Sequence, residues 1–431
     1  MKNILFLLLS LSIISGCKDN TVSKLNPNYP DTKFITLSDL HYYDTTLGTT
    51  GSAFQTYLNN DRKLLAESPE IISAISKKAV LSDANFLIIS GDLTKDGEKS
   101  SHLKVAQMLK KIENSGKKVF VINGNHDVLN PEAVSFSGDK TSPCPNITQD
   151  DFSKIYSDFG YSESIMKDSS SLSYVAEPVS GLWLLMVDSC NYSTKNSHSV
   201  TEGEIKKDTL SWIKLVINKA SSENKSIIAS MHHGVIDHYP SNKKHYPQYI
   251  LKNSSEISKL FISAGIKVAF TGHYHAQDAT MRKNKNGFLL DIETGSPLTY
   301  PCPYRVIDLK DNILTSTSFF IDKISSKANF KKYAEKFTYN GSAILSTNAL
   351  KKYGANEQEV SVLVPQIAKA YTTHLQGDEI KPVSYLNLEN VRFIPSLILK
   401  YKQSLIEGWY TDLPPSDNNF KVNLSTGTEI K

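Results

Sequence analysis

The chain is poor in cysteine, with 4 in 431 residues, and none has zinc-finger spacing. A cysteine-ligated metal module is thereby excluded. Neither sign of charge dominates: Lys+Arg 48 against Asp+Glu 44 leaves a net charge of +4. A nucleic-acid binder usually carries a concentrated basic patch, so no specific nucleic-acid partner is expected. There is no Gly-rich P-loop and no Gly-x-Ser-x-Gly turn, which removes two common devices for phosphate binding and nucleophilic catalysis. Internal repeats and low-complexity tracts are also missing. What remains, 40% hydrophobic and 21% charged residues, is an ordinary globular composition with length for two or three domains.

The one strongly apolar run, Ile4 to Ile14, follows Lys2 and is broken only by Ser10 and Ser12. It is too short to span a bilayer and reads as the core of a signal peptide. It ends in Ile14-Ser15-Gly16-Cys17, which resembles a bacterial lipobox, with cleavage before Cys17 and acylation of its thiol. Several acyl chains on one residue anchor stably where one does not. The expected location is therefore extracytoplasmic, on a cell membrane, with the bilayer as partner. Residues 1–16 are the leader and 17–33 a tether, whose stretch Lys18 to Pro30 is polar. Cys144 and Cys302 sit in Pro-Cys-Pro contexts and are a candidate disulfide, a pairing that spacing leaves open. Cys190 reads as a buried free thiol.

From Phe34 onward, apolar runs alternate with amphipathic stretches. Phe34–Leu37, Phe86–Ile89, Val119–Ile122, Leu182–Val187, Ile227–Ser230 and Val268–Phe270 are short and continuously apolar, as in a sheet covered on both faces. Between them lie helical patterns, such as Val105, Met108, Leu109 and Ile112. Alternation of this kind predicts a layered α/β domain over 34–325, built as two sheets with helices outside. Phe288–Ile292, Tyr304–Leu309 and Ile313–Phe320 read as antiparallel additions to a sheet. After Ser325 the spacing turns helical, as at Phe330, Tyr333, Ala334 and Phe337. Residues 326–431 are expected to form a small all-α C-terminal domain, with Pro365 kinking or starting a helix and a loose tail beyond Trp409.

Five clusters stand out, each just after an apolar run: Asp39-Leu40-His41, Gly91-Asp92, Gly124-Asn125-His126-Asp127, Met231-His232-His233 and Gly272-His273-Tyr274-His275. Singly each is weak. Yet 6 of the 11 histidines fall within them. Each cluster would sit at the carboxyl end of a strand, where open α/β sheets place their ligands. Glycines 91, 124 and 272 allow the sharp turns needed there. Mixed oxygen and imidazole donors suit a pair of first-row metal ions, and such a pair is a device for hydrolysing phosphate esters.

In that order these elements resemble the calcineurin-like metallophosphoesterases, over roughly Phe34 to Phe320. Within that superfamily the chain is similar to secreted, lipoprotein-type bacterial phosphodiesterases that carry an extra helical domain. Ser90–Lys99, Asp150–Tyr156 and Thr271–Asp278 bear the nearer likeness. The resemblance implies a two-sheet metallophosphoesterase sandwich and two divalent cations. One would be held by Asp39, His41, Asp92 and His275, the other by Asp92, Asn125, His232 and His273, with Asp92 bridging. Two such ions, opposed by two aspartates and a bridging hydroxide, would leave about one positive charge for a phosphate. The hydroxide would attack phosphorus in line. His126 would protonate the leaving oxygen or stabilise the phosphoryl group, and Asp127 would hold its imidazole.

The substrate implied is a small phosphoester, preferably a phosphodiester, with cyclic nucleotides the nearest family-level example. A phosphomonoesterase or nucleotidase is the alternative, and a catalytically inactive surface binding protein the rival from another class. Lys95 stands where purple acid phosphatases have a tyrosine ligand, so the metals implied are manganese or iron in a non-tyrosinate site, with zinc also compatible. His233 is expected to contact substrate or support its loop. Tyr42, Tyr43, Asp237, His238 and Tyr239 either line a pocket or are exposed loop residues. Asp188 reads as a turn residue, Asp291 and Glu293 as a solvated face, and Trp183, Trp212 and Trp409 as core.

Overall fold

The computed structural model describes residues 22–389 and 391–430, so the leader and Cys17 lie outside the described residues. The strands, in chain order, begin with β1 (Thr32–Leu37), β2 (Phe86–Ser90), β3 (Lys118–Ile122), β4 (Val134–Ser137), β5 (Lys140–Pro143), β6 (Met166–Lys167), β7 (Tyr174–Val179) and β8 (Leu182–Val187). They continue with β9 (Ser226–Met231), β10 (Val268–Thr271), β11 (Asp278–Asn284), β12 (Gly287–Glu293), β13 (Pro303–Lys310), β14 (Ile313–Phe320), β15 (Asn419–Asn423) and β16 (Thr428–Glu429). Two seven-stranded sheets result, ordered β16-β15-β14-β13-β1-β2-β3 and β11-β12-β10-β9-β8-β7-β6, with β4-β5 a separate hairpin.

The continuous apolar runs are the centres of these sheets. β2, β8, β9 and β10 are buried along their whole length. This follows from the layering: each sheet has the other on one face and helices on the outer one. Phe34 on β1 stacks on Phe86 on β2, centroids 4.6 Å apart, and meets Phe270 of the second sheet edge-on at 5.4 Å. Ser90 and Ser230 hydroxyls bond across the sheets at 2.9 Å, just below the ligand-bearing ends of β2 and β9. In the first sheet β1, β2 and β3 run parallel, and in the second β8, β9, β10 and β12 do. Their carboxyl ends therefore share an edge.

Three expectations need correction. The strand at Gly287–Glu293 is not an antiparallel addition throughout, because it pairs in parallel with β10 and antiparallel only with β11. The tether is not free from residue 22 on: Leu25 and Tyr29 are buried, and Leu25 N–H donates to Ala264 O at 2.8 Å. Two apolar side chains in a polar run are enough to dock it. The segment beyond Trp409 is not a loose tail. β15 pairs with β14, burying Phe420, Val422 and Leu424, an alternation of two that reads as a half-buried strand. Of the two alternatives for Pro365, the start of a helix is excluded: it lies inside the helix Glu357–Gln376, whose start is set by a capping box at Asn356 and Glu359. The C-terminal helices Phe330–Lys352, Glu357–Gln376 and Phe393–Gly408 thus interrupt a chain that returns to the first sheet. Cys144, Cys190 and Cys302 are free thiols.

Candidate metal centre

The five clusters converge at the carboxyl ends of β1, β2, β3, β9 and β10. To reach this edge the backbone turns sharply, and Asp39, His41, Asp92, His273 and His275 all have positive φ, between 37° and 80°. L-residues seldom adopt that region, and each such residue costs of order 1–3 kcal/mol. Strain concentrated on five predicted ligands is offset by the packing below them. Gly124 is required for a separate reason: a Cβ there would lie 2.1 Å from Asp92 Oδ1.

Asp92 is central. Its Oδ2 lies 3.5 Å from His41 Nε2 and 3.3 Å from His232 Nε2, while Oδ1 accepts the His126 N–H at 2.9 Å. On one side, His275 Nε2 lies 3.2 Å from Asp39 Oδ1 and 3.0 Å from His41 Nε2. On the other, His232 Nε2 lies 3.1 Å from Asn125 Oδ1 and 2.9 Å from His273 Nδ1. At most one nitrogen of each facing pair can donate a proton, so lone pairs converge at two points that share Asp92. Asp39 Oδ1 and His273 Nε2 are buried without a hydrogen-bond partner among the described residues. Carboxylate, imidazole and amide donors in this arrangement fit two divalent cations.

The electrostatics agree. Burial opposes charge on Asp39 and Asp92, but the surrounding imidazoles outweigh it and hold both well below the ordinary aspartate range. Burial, reinforced by Lys63, pushes His41 down to about 3, and burial beside His233 and His232 holds His273 well below its usual value. Ionised carboxylates and neutral imidazoles are the forms that bind metal. His232 differs: burial lowers its proton affinity, Asp92 more than compensates, and it rises to about 9. Proton and cation would compete there. Its Nδ1–H donates to Ser90 O at 2.9 Å, which aims Nε2 at the centre.

His233 is used otherwise. Its Nδ1 is 2.8 Å from Ser189 Oγ and its Nε2 is 2.9 Å from Thr201 O, so both ring nitrogens are occupied away from the centre. Its role is to hold the loop.

His126 sits at the mouth, its side chain 24% exposed, with Nε2 4.0 Å from Asp92 Oδ2. Here one expectation fails. The partner of His126 Nδ1 is Asp96 Oδ1, at 2.7 Å, and not Asp127. Asp127 instead accepts from the backbone N–H groups of Gly124, Leu93 and Thr94 at 2.8–3.1 Å, tying the β3 turn to the β2 turn. Adjacent residues point different ways, so the nearest carboxylate in sequence was the wrong one. Asp96 is itself held by the fully buried Lys95, which also reaches Glu98 Oε1 at 2.9 Å. A signal for Asp96 existed in the run Ser90–Lys99, four residues past Asp92. Asp96→Asn is expected to slow turnover about 10- to 100-fold, the usual cost of losing a carboxylate behind a functional histidine. Metal content should be unchanged; steady-state kinetics with metal analysis checks both.

Asp291 and Glu293, read as a solvated face, are buried. Asp291 Oδ2 accepts from Val235 N–H at 2.6 Å and Oδ1 from Thr271 at 2.7 Å, which braces the turns after β9 and β10. Tyr42, Tyr43, His238 and Tyr239 are likewise buried and are not exposed loop residues; Tyr43, for one, packs against Phe54 and Phe136. Asp188 serves as a turn anchor, accepting from Asn123, Leu172, Cys190 and Tyr192. Trp183, Trp212 and Trp409 are in the core.

A family model for calcineurin-like phosphoesterases matches residues 32–277. Among solved structures, a dimetal phosphatase from Danio rerio is similar at 13% identity, covering 67% of this chain and 96% of that one, with a TM-score of 0.49. The phosphopantetheinyl hydrolase of Mycobacterium tuberculosis is similar at 12% identity over 62% of this chain and 90% of that one, with a TM-score of 0.32. No curated protein matches the chain. The match spans every cluster from Asp39 to His275, and on that ground the chain belongs to the calcineurin-like phosphoesterases, metal-dependent hydrolases of phosphoric esters.

Proposed function

We propose that the chain hydrolyses phosphodiesters, with Asp39, His41, Asp92 and His275 holding one cation, and Asp92, Asn125, His232 and His273 a second. The observation that carries this reading is the position of Asp92 Oδ2, within 3.5 Å of an imidazole from each group. Bound there, two cations would supply Lewis acidity to a phosphoryl oxygen and make water acidic enough to attack near neutral pH. Manganese or ferrous iron suits the mixed donors, and zinc is also compatible.

His126 supplies the proton. Asp96 accepts its Nδ1–H, so Nε2 is directed toward Asp92 and the centre, where a leaving oxygen would need it. Burial lowers the proton affinity of His126, but Asp92 and Asp96 together raise it above the ordinary histidine value.

Support for a diester comes from the neighbouring surface. The Tyr249 ring lies 4.8 Å from that of His273, and the Tyr246 ring 5.8 Å farther on. Tyr246 then borders a cavity of about 220 Å³ lined also by Arg62, Tyr371, Leu405 and Trp409. Largely apolar walls that also carry Arg62 and Lys402 accept an aromatic or apolar ester substituent, and a base of a cyclic nucleotide is of this kind. An acyclic diester brings a second substituent to that wall whichever one leaves, whereas a monoester reaches it only through its single substituent. With added manganese, bis(4-nitrophenyl) phosphate should be turned over faster than 4-nitrophenyl phosphate. A monoester rate equal to or above the diester rate would replace this reading with a phosphomonoesterase. Attack in line without a covalent enzyme intermediate further requires inversion at a chiral phosphorothioate. The same reading places the protein outside the cytoplasm, anchored through acylated Cys17; among the described residues no helix is long and apolar enough to cross a membrane.

A further inference from the structure

A second group of ligand-type side chains lies outside the centre described above. Asp278 stands at the start of β11, His374 in the last turn of the helix Glu357–Gln376, and Glu379 in the loop that follows. All three are more than nine-tenths buried. One ligand atom from each lies within 4.8 Å of the other two.

Hydrogen bonding does not satisfy this group. His374 Nδ1 meets Glu379 Oε1 at 2.6 Å, but His374 Nε2 and Glu379 Oε2 have no partner among the described residues. An unpaired buried polar atom of this kind usually marks a missing partner.

Charge does not balance either. Asp417 is buried nearby, and its carboxylate lies within 4.8 Å of those of Asp378 and Asp412. The buried guanidinium of Arg305 lies among these acids but makes no hydrogen bond to their carboxylates. It donates to the backbone carbonyls of Glu293, Asp278 and Asp417 and to Ser318 Oγ. His238 Nδ1, at 2.8 Å from Asp278 Oδ1, faces one of these acids. Burial pushes Glu379 up to about 9 and Asp417 well above the carboxylate range, with Asp278 adding to both. Three of these carboxyls, Asp278, Glu379 and Asp417, are buried together with no lysine or arginine side chain hydrogen-bonded to any of them among the described residues, a place that one divalent ion would fill.

We propose that Asp278, His374 and Glu379 hold a further, structural divalent cation, of the transition-metal class that takes one imidazole and two carboxylates. Zinc is its simplest representative. The site joins the strand that follows Gly272-His273-Tyr274-His275 to the C-terminal helices. His374 also packs edge-on against Tyr239 and Tyr274, at 4.8 Å and 5.2 Å, behind the aromatic wall of the substrate cavity. The ion staples that wall to the phosphoesterase sheet.

The test strips the purified full chain with a chelator, reloads it with zinc, desalts it and measures metal per chain by mass spectrometry. The parent is expected to retain one equivalent more than His374→Ala, and one more than the conservative variant Glu379→Gln. Only the difference is read, so the result does not depend on what the centre around Asp92 holds. Equal zinc in the parent and in a folded variant overturns the proposal. Crystals of the parent grown with zinc provide a measurement that needs no variant. An anomalous peak among Asp278, His374 and Glu379 supports the site, and its absence there, with zinc present around Asp92, rejects it.

Discussion

Asp92→Asn should empty the metal centre and reduce phosphodiester turnover by at least roughly 10²–10⁴-fold. That floor follows because even an outer partner of a metal ligand is worth about 10- to 100-fold in affinity, and Asp92 faces both groups of ligands. Asparagine has nearly the same shape and tolerates the left-handed backbone that Asp92 adopts at φ 48°. Its carbonyl oxygen can still accept the His126 N–H. The change therefore removes the charge and puts an N–H₂ group against imidazole nitrogens while leaving the turn intact. Circular dichroism should match the parent, while metal analysis finds both equivalents reduced. Two retained equivalents with parental turnover would dismiss the assignment of Asp92 as the shared ligand.

His126→Ala should give the second-largest loss, about 10²–10⁴-fold in turnover, the range for a positioned general acid. Metal content should stay at the parental value, because His126 lies at the mouth and is not among the seven ligands, all of which are untouched. Asp96 keeps Lys95 as its partner, so no buried charge is stranded. A further readout separates proton delivery from mere packing. The loss should shrink for a diester with a good leaving group such as 4-nitrophenolate, which needs little protonation, and grow for an alkyl leaving group. A loss independent of the leaving group would make His126 a phosphoryl-binding residue and not the acid.

Much of this centre was legible beforehand for one reason. Parallel strands covered on both faces must be continuously apolar, so polar clusters that follow such strands are forced to one edge. Asp39, His41, Asp92, Asn125, His232, His273 and His275 are each one to four residues past the end of a strand, and the structure brings all of them together. His126 was legible from the same context. Its support was not. Asp127 and Asp96 are both carboxylates close to the right turn, and choosing between them requires the directions of side chains across two turns.

The amino-acid sequence by itself determined the donor types, their order, and the strand ends that carry them, because hydrophobic periodicity and turn-forming glycines act locally. Tertiary structure alone decided which partner each group meets. It placed Asp96 behind His126, buried Asp291 and Glu293, with Asp291 bound by the turns after β9 and β10, and folded the C-terminal strand Asn419–Asn423 onto the first sheet. It also brought Asp278 to His374 and Glu379 across about a hundred residues of chain. The physical reason is that burial and pairing are properties of neighbours in space, and a polar residue on a strand looks the same in sequence whether water or another carboxylate lies against it.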